Sequence, residues 1–350
     1  MSCYWAPDSR HILTTTDFQL RMTLWSLANK TISYIKYPKL SQGGLDFNHS
    51  GRYMALAERR DCKDYISVFD CSDWQLLRNF PVDTDDLVGL AWSPDGKVIC
   101  VWDSILYYKV LLYSMNGHHV ATYSAYDDAL GVKCVQWSPS SQFLAIGSYD
   151  QKVRVLNHVT WKTVAEHCHP CLVDFSNVVV YSEVESRSLP PKGNEVLSAG
   201  SLPNLFKSQS KYEATEIPVT VPSIKPDPEK PNPKLGVGSV LFSPDSKYMA
   251  TKNDNMPNTV WIWDTFQLRL AVLLLQLNPV REMSWDPQQS RLAVCTGNGK
   301  LYLWSVAGCV SVTVPSETNF TIQKLIWHPN GKSLALVGTT HFCVCYLNDE

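Results

Sequence analysis

One short stretch of the chain combines residues that bind metal ions, His167-Cys168-His169-Pro170-Cys171. Imidazole nitrogens and thiolates are preferred zinc ligands, but a structural zinc site needs four ligands, usually as two pairs at defined spacing. No second pair follows this stretch. Adjacent residues of a strand also point to opposite faces. The sequence therefore predicts a strand end that enters a loop here, and no metal site.

Other residues with chemical potential lack the context that their chemistry needs. His118-His119 follows Gly117 and is typical of exposed turn histidines. Gly236-Val237-Gly238 resembles a fragment of a phosphate loop but lacks the third glycine and the following helix. Nucleophile elbows, zinc-protease helices and phosphate loops ending in Gly-Lys-Ser/Thr are missing from the sequence. The sequence predicts no cofactor and no enzyme; a triad assembled in space is the remaining catalytic alternative.

Two long charged hairpins are better candidates, for protein binding. They run from Glu58 to Asp64 and from Lys252 to Asn258, and both exceed the two-residue loops that paired strands prefer. Arginine close to aromatic side chains is typical of binding anchors. The alternative is a solvated loop region with partly buried aromatic residues. The candidate partner-binding residues are Arg59, Arg60, Lys63, Trp102, Tyr107, Tyr108, Asp254 and Asn255.

The elements that must position these residues start at a turn that recurs along the chain. In each copy an aromatic residue is followed two positions later by proline and then by a small polar pair; the second copy has His49 in place of proline. Apart from one long gap, the copies stand about 42–45 residues apart, a period typical of propeller blades. The copies begin at Trp5, Phe47, Trp92, Trp137, Phe242, Trp285 and Trp327.

Short strands follow each turn. The stretch from Phe143 to Gly147 is apolar, and the stretch from Ile66 to Asp70 alternates, which puts every second side chain on one face of a sheet. Strands of this kind, broken by Pro, Asp, Asn and Gly, predict an all-β fold. One four-stranded sheet cannot bury both faces, whereas a ring of stacked sheets can. We therefore expect about seven four-stranded blades, with the turn aromatics buried between neighbouring sheets.

These turns and strands resemble the blades of WD-repeat β-propellers. The literal Trp-Asp pair of that family survives at Trp263-Asp264, and these two residues join the turn aromatics as expected structural anchors. Three longer stretches resemble the centrosomal WD-repeat family of the WD-repeat protein eight type: Gly51 to Trp74, Ser138 to Trp161 and Trp285 to Gly297. The match includes hairpin loops, which a shared fold alone does not fix. It implies an N-terminally shortened chain, since family members carry repeats ahead of the position of Met1.

The resemblance implies a non-catalytic adaptor that acts with a coiled-coil partner. The pair would work at centrosomes and spindle poles, in the cytoplasm and cytoskeleton, in microtubule anchoring, spindle assembly and cilium formation. In the family's geometry the long hairpin loops lie on one rim of the ring. Two alternatives are a substrate receptor of a cullin-type ubiquitin ligase and a generic cytosolic scaffold. The first is weakened because Phe266 stands where many such receptors carry arginine after Trp-Asp-x.

The gap in the repeat predicts an insertion. Blades one to four would span residues 1–168, a flexible Pro/Ser-rich insertion 169–234, and blades five to seven 235–350, the last blade being incomplete. Within the insertion, Val178 to Tyr181 and Tyr212 to Val221 read as short strands that could extend the edge of the fourth blade. The insertion is either a plain linker or a partner-binding peptide.

Composition excludes several classes of partner. The 350 residues carry a formal net charge of -2 and no long basic cluster, so we expect no nucleic-acid partner. No apolar run reaches the ~18 residues that cross a bilayer, so we expect no membrane insertion. Eleven cysteines, many at strand positions, are typical of reduced, buried thiols. The expected partners are proteins, with no small-molecule ligand.

Overall fold

Short antiparallel sheets make up the fold. A computed structural model describes residues 2–15, 21–39, 43–186, 209–227, 229, 233–315 and 320–347. Among these residues it contains strands and turns and no helix. The chain divides into two compact units, residues 1–166 and 167–350.

The first unit contains four sheets, each of four strands in sequential order. Consecutive strands pair antiparallel, as in β2 and β3, where His11 lies opposite Ser26. The fourth sheet ends with a strand that runs two residues into the second unit. The strands are β1 Ser2–Trp5, β2 His11–Thr15, β3 Arg21–Ser26, β4 Thr31–Lys36, β5 Leu45–Phe47, β6 Tyr53–Arg60, β7 Lys63–Asp70, β8 Gln75–Pro81, β9 Gly89–Trp92, β10 Val98–Trp102, β11 Val110–Ser114, β12 His119–Tyr123, β13 Val132–Trp137, β14 Phe143–Ser148, β15 Lys152–Asn157 and β16 Thr163–Cys168.

The second unit contains three more repeats of the same kind, preceded by four extra strands. The seventh repeat has three strands in its described part. The strands are β17 Leu172–Val173, β18 Val179–Ser186, β19 Gln209–Thr215, β20 Val219–Thr220, β21 Val237–Phe242, β22 Tyr248–Asn253, β23 Thr259–Asp264, β24 Arg269–Leu275, β25 Glu282–Trp285, β26 Leu292–Cys295, β27 Lys300–Ser305, β28 Gly308–Thr313, β29 Lys324–Trp327, β30 Ser333–Val337 and β31 Phe342–Tyr346.

The extra strands correct the expectation for residues 169–234. The prediction of two short strands is confirmed, but their predicted place at the fourth blade is wrong: β18 pairs in parallel with β24, the outer strand of the fifth sheet, and β19 pairs with β18. Described residues of a segment predicted as flexible thus form a six-stranded sheet with the fifth repeat. The reason is that β24 presents an apolar edge, Leu273 to Leu275, which an added strand buries. The boundaries of the three predicted regions stay a prediction.

The recurring turn is stabilised by its polar pair. In the third repeat Ser93 Oγ donates to Asp95 Oδ1 over 2.6 Å and accepts the backbone N–H of Val98 over 3.0 Å. Gly96 closes the turn with a φ of 71°, which glycine adopts without steric cost. The sequence Trp92-Ser93-Pro94-Asp95-Gly96 therefore specifies one tight turn before the second strand of this repeat.

The cores lie between consecutive sheets within each unit. One cluster joins the second and third repeats through Ile66, Val68, Leu90 and Val101, and another joins the fifth and sixth through Ile262 and other residues. Within a unit, a sheet with a neighbour on each side thus buries both faces, as the stacking argument requires. Exposed positions fall mainly on the outer strands, such as β4 and β8.

Candidate protein-binding surface

Asp64 is the electrostatic centre of the predicted binding hairpin in the second repeat. Its buried carboxylate accepts hydrogen bonds from Lys39 Nζ at 2.9 Å and from Arg59 Nη1 at 3.1 Å. Thr84 Oγ1 and the backbone N–H of Leu87 donate to its other oxygen, at 3.0 and 2.7 Å. Arg59 is therefore held inside the unit by a buried acid, and its guanidinium stabilises the loop that follows β8.

Arg60 belongs to a second polar network, directed toward the first repeat. Its Nη2 lies 2.7 Å from Asn79 Oδ1 and 3.2 Å from Glu58 Oε2, and its guanidinium stacks 4.8 Å from the centre of the Tyr65 ring. Asn79 Nδ2 in turn donates to Ser67 Oγ at 2.7 Å. Glu58 is buried, and this burial raises the pKa of its carboxyl, although Ser67 and Arg60 oppose the shift. The network places a partly exposed cation above a buried acid.

These groups form part of a cleft between the first and second sheets. Its volume is about 530 Å³, and it opens between the outer strands β4 and β8. Tyr37 and Leu76 contribute exposed apolar surface to it, and Lys36, Glu58, Arg60 and Asp73 contribute the charged groups. The complete lining is Leu24, Ser33, Tyr34, Ile35, Lys36, Tyr37, Glu58, Arg60, Phe69, Asp73, Trp74, Gln75, Leu76 and Asn79. Sequence reasoning identified Arg60 here and missed Tyr37 and Leu76, because neither carries a motif.

The aromatic candidates of the third repeat do not form one surface. Trp102 is half-buried and its indole lies over Gly89, where an added Cβ would come within 2.1 Å of Trp102 Cζ2. Tyr107 is 48% exposed and is available to a partner. Tyr108 is buried, 4.8 Å from the Tyr126 ring, so its predicted role in an exposed surface is wrong.

Tyr108 instead belongs to the core around Arg154. The Arg154 guanidinium lies 5.6 Å from the Tyr108 ring centre, and its Nη2 donates to Asp150 Oδ2 at 2.6 Å. Burial raises the pKa of Tyr108 well above its ordinary value. Arg154 and the tyrosines around it therefore stabilise the core of the fourth repeat. The sequence alone could not distinguish this structural role from a role in partner binding.

The remaining candidates lie on the two predicted hairpins. Lys63 lies exposed beside the tip of the first, where it pairs with Arg60 and the turn consists of Asp61 and Cys62 alone, so the expectation of a loop longer than two residues is wrong here. In the second hairpin Asn255 is buried, and its backbone carbonyl accepts the N–H of Ile224 at 2.7 Å. Asp254 is half-buried, and its carboxylate lies where a side chain at Gly238 would stand. Asn255 therefore joins this loop to the segment before β21, and its side chain has little exposed surface for a partner to contact.

The predicted anchors occupy equivalent positions with different burial. Trp92, Trp137, Phe242 and Trp263 are buried, whereas Phe47, Trp285 and Trp327 are half-buried. The indole N–H of Trp285 donates to the carbonyl of Leu241 over 3.1 Å, and that of Trp327 to the carbonyl of Ser284 over 3.1 Å, so each contacts the preceding sheet. The expectation of burial is wrong for Trp5, which is 61% exposed, because no sheet precedes β1 within its unit.

Asp264 and the metal-like stretch both stabilise the fifth repeat. Asp264 Oδ1 accepts the backbone N–H groups of Phe266 and Gln267 at 2.9 and 2.8 Å. His167 stacks on Trp263 with ring centres 4.3 Å apart, and burial lowers its pKa to about 4. The stretch therefore contributes aromatic packing.

A buried hydrogen-bond chain continues from Trp263. Its Nε1 donates to Thr251 Oγ1 at 2.9 Å, and the same oxygen lies 2.8 Å from His169 Nε2. Within the described ranges no group of three or more His, Cys, Asp or Glu side chains is placed to hold a metal ion. Sequence reasoning missed the role of His169, because the partner Thr251 lies more than one repeat away in the chain.

The β18–β19 hairpin covers the gap between the outer strands of the fifth and sixth repeats. Glu183 Oε1 accepts the Tyr302 hydroxyl at 2.6 Å, and its Oε2 accepts the backbone N–H of Leu277 at 2.9 Å. The Tyr212 hydroxyl accepts a hydrogen bond from Gln276 Nε2, and the Tyr212 ring packs against Tyr302 with ring centres 5.9 Å apart. Lys300 Nζ reaches Ser210 Oγ at 2.6 Å. The hairpin thus fills this gap with aromatic and acidic side chains.

The described part of the chain contains no helix long and apolar enough to cross a membrane. Its buried acids and histidines have structural partners: Asp64 holds Lys39 and Arg59, and Glu183 holds Tyr302. The geometry favours the exposed loops and the cleft as surfaces for a macromolecule.

Comparison with known proteins identifies the repeats. The sequence profile described as "WD domain, G-beta repeat" matches residues 111–157. The chain is 55% identical over 358 residues to the mouse WD repeat-containing protein WRAP73, with 100% of this chain and 76% of that protein covered. An uncharacterized WD repeat-containing protein of Schizosaccharomyces pombe is 23% identical, over 100% of this chain and 72% of its own length.

Solved structures agree on the fold. A chain of the mitotic checkpoint complex superposes with a TM-score of 0.56 at 12% identity, covering 97% of this chain and 84% of that chain. The C-terminal WD40 domain of Sif2 superposes with a TM-score of 0.60 at 11% identity, covering 100% and 81%. At such low identity the likeness concerns the fold alone. The all-β fold with WD-repeat propeller blades, predicted from the sequence, is confirmed.

Proposed function

The chain belongs to the WD-repeat protein family that includes mouse WRAP73, and from this premise we propose that it is a non-catalytic adaptor at centrosomes and spindle poles. It would hold a coiled-coil protein there and act in microtubule anchoring, mitotic spindle assembly and cilium formation. Membership of the family makes it a WD-repeat protein of the scaffold type, and proteins of this kind mediate contacts between proteins. The cellular site and the coiled-coil partner are the parts that we propose.

The observation that carries the proposal is the extent of the match. Identity of 55% continues over the whole chain, whereas the fold is retained by structures at 11–12% identity. Burial and turn geometry alone therefore do not require so many identical residues. Identical residues beyond those that the fold needs are expected on surfaces that bind a partner, and the family resemblance of the hairpin from Glu58 to Asp64 supports the same conclusion.

The structural role of the buried acids also supports a scaffold function. Asp64 and Glu58, the buried acids nearest the predicted surface, are bound to Lys39, Arg59 and Arg60. A general acid or base needs an accessible proton and a substrate position within hydrogen-bond reach. These carboxylates instead keep two loops in place, which is what a surface of defined shape requires.

Co-purification from dividing cells tests the proposal. The tagged full chain is isolated, and the recovery of coiled-coil centrosomal proteins is quantified by mass spectrometry, while the same tag reports localisation. One variant changes exposed residues of the predicted rim, Lys63→Glu with Tyr107→Ala. Arg59 is left unchanged, because its loss would take one of two cations from the buried Asp64. Lys332→Glu, an exposed charge reversal in the seventh repeat, is the matched control.

Stoichiometric recovery of one coiled-coil protein together with spindle-pole localisation would support the adaptor role. Loss of both in the Lys63/Tyr107 variant, with the Lys332 control unchanged, would locate the contact on the rim. A chain that reaches neither centrosome nor spindle pole and recovers no coiled-coil protein would overturn the proposal. Recovery of ubiquitin-ligase adaptors instead would favour the receptor alternative.

A further inference from the structure

The protein contains its own example of how a gap between two blades is filled. In the second unit, β18 adds to the free edge of β24, with Val179 opposite Val272 and Ser182 opposite Leu275. The hairpin also reaches the next blade, where the Ser311 hydroxyl donates to the carbonyl of Ser210. One outer strand thus supplies a backbone edge and the next supplies side-chain contacts.

The cleft in the first unit lies at the equivalent place. On the first blade, Leu24 lies opposite Ser33 and Arg21 opposite Lys36, as Ile262 lies opposite Val272 and Thr259 opposite Leu275 on the fifth. The edge from Ser33 to Lys36 in β4 therefore corresponds, residue by residue, to the edge from Val272 to Leu275 that receives β18.

The second blade repeats the correspondence on the other side of the cleft. Leu76 lies opposite Phe69, as Cys309 lies opposite Trp304 on the sixth blade. Asn79 lies opposite Ser67, as Ser311 lies opposite Tyr302. Asn79 and Leu76 both line the cleft, so they stand where Ser311 and Cys309 meet the hairpin.

The two places differ in what covers them. On the fifth blade Val272, Leu273 and Leu274 are buried, and Tyr212 of the hairpin contacts Cys309. On the first blade the edge residue Ser33 is exposed, and Leu76 across the cleft is 52% exposed. The cleft of about 530 Å³ is thus an open counterpart of a place that the chain elsewhere fills with a strand.

We propose that this cleft binds an extended peptide segment of a partner protein, which adds as a strand parallel to β4. The segment would carry an aromatic or large apolar side chain toward Leu76, as Tyr212 of the hairpin contacts Cys309. Backbone hydrogen bonds to the free edge supply affinity, and the side chains in the cleft supply specificity. The inference shares with the proposed function only the premise that the chain binds proteins.

The chemistry of the cleft selects this occupant. The β18–β19 hairpin fills its own gap with Tyr212 and Glu183, an aromatic ring and a carboxylate. In the first unit the charges of the cleft are balanced, because Arg60 pairs with Glu58 at 3.2 Å and the lining holds both Lys36 and Asp73. The exposed Leu76 remains for a partner to cover, so an extended segment with an aromatic or large apolar side chain is complementary to the cleft. A coiled-coil helix is not, because its backbone groups are already paired and cannot extend a sheet.

Peptide selection on the full chain tests the proposal. A phage library of random dodecapeptides is panned against the protein, and the enriched peptides are synthesised and titrated by fluorescence polarisation. Two variants alter the cleft, Leu76→Glu and Ser33→Glu, both at exposed residues of its lining. Val120→Glu, on the exposed face of β12, is the matched control because Val120 is also a half-exposed apolar residue of an outer strand. Circular dichroism confirms that each variant is folded before titration.

The expected result has two parts. Selected peptides carry an aromatic or large apolar residue, and their affinity falls at least about tenfold in both cleft variants and stays unchanged in the control. Hydrogen exchange of the complex protects backbone amides of Thr31–Lys36, which side-chain docking alone does not do. Absence of enriched peptides, equal binding by cleft and control variants, or protection elsewhere would overturn the proposal.

The same variants separate this inference from the proposed function. A cleft that binds peptides in a chain that does not localise to spindle poles would leave the cleft established and reject the centrosomal role. A chain that localises normally and recovers its coiled-coil partner, while no peptide protects Thr31–Lys36, would reject the cleft and leave the adaptor role intact.

Discussion

Asp64→Asn removes one negative charge from a fully buried position that two cations share. Lys39 and Arg59 both bind Oδ1, at 2.9 and 3.1 Å, while the Leu87 N–H binds Oδ2 at 2.7 Å. Breaking a buried ion pair by removing one partner typically costs about 3–5 kcal/mol. The lower end applies, because Asp86 still contacts both cations. We therefore expect a loss of about 3 kcal/mol in the free energy of unfolding of the first unit.

Thermal unfolding followed by differential scanning fluorimetry measures this loss. For a unit of this size, about 1 kcal/mol shifts the unfolding midpoint by roughly 2–4 °C, so Asp64→Asn should lower the first transition by about 6–12 °C. Asp86→Asn is the matched control, because it removes the same charge from the same two cations at an exposed position. Exposed pairs contribute about 0–1 kcal/mol, so the control shifts the midpoint by about 4 °C or less. Equal shifts in the two variants would refute the claim that Asp64 is the buried centre of this region.

Three further predictions follow from single contacts. Gly89→Ala brings a Cβ within 2.1 Å of Trp102 Cζ2, so we expect a loss of about 1–3 kcal/mol by thermal unfolding, most of which Trp102→Leu restores in the double variant. Glu183→Ala leaves the Tyr302 hydroxyl without its acceptor at 2.6 Å, so the amides of β18 should exchange faster in hydrogen-exchange mass spectrometry. Burial lowers the pKa of His167 from 6.5 to about 4, so the unfolded chain binds the proton more readily than the folded chain. The contribution of His167 to the free energy of unfolding is therefore complete above pH 6.5 and falls toward pH 4 by up to about 1.4 kcal/mol per pH unit. In His167→Phe this part of a pH series of unfolding midpoints should be flatter.

Each of these predictions has a contradicting result. Gly89→Ala with unchanged stability would mean that the Trp102 indole is not fixed over the glycine. Unchanged exchange in Glu183→Ala would mean that backbone pairing to β24 alone holds the hairpin. An equal pH dependence in His167→Phe and the parent chain would show that other groups cause the acid sensitivity.

The repeats and the fold class could be predicted because they rest on local signals. The aromatic-x-Pro turn fixes its own geometry through pairs such as Ser93 and Asp95, and strand alternation is visible residue by residue. The burial of Trp92 and Trp137 follows from the same repeat. Trp5 departs from it because burial of an anchor depends on a neighbouring sheet, which no local pattern specifies.

The candidate surface was harder to predict because it depends on contacts between distant residues. Arg59 and Arg60 are adjacent in sequence, yet one binds the buried Asp64 and the other lines the cleft. Tyr107 and Tyr108 are likewise adjacent, and one is exposed while the other is buried. Alternation along a chain predicts that neighbours differ, but only the packed structure shows which of two neighbours is available.

The placement of the β18–β19 hairpin could not be deduced from sequence order. The segment follows the fourth blade, so the fourth blade is its nearest edge along the chain. It pairs instead with β24, whose residue Leu273 is buried under it. The free energy gained by covering an apolar edge outweighs the modest cost of closing a longer loop.

The most direct test of the account compares backbone amide exchange in the free full chain and in the complex recovered from dividing cells. The account predicts that the coiled-coil partner slows exchange at the turn between β6 and β7, from Arg60 to Lys63, and leaves the covered edge of β24 unchanged. An unchanged exchange rate at this turn, with protection confined to another blade, would contradict it.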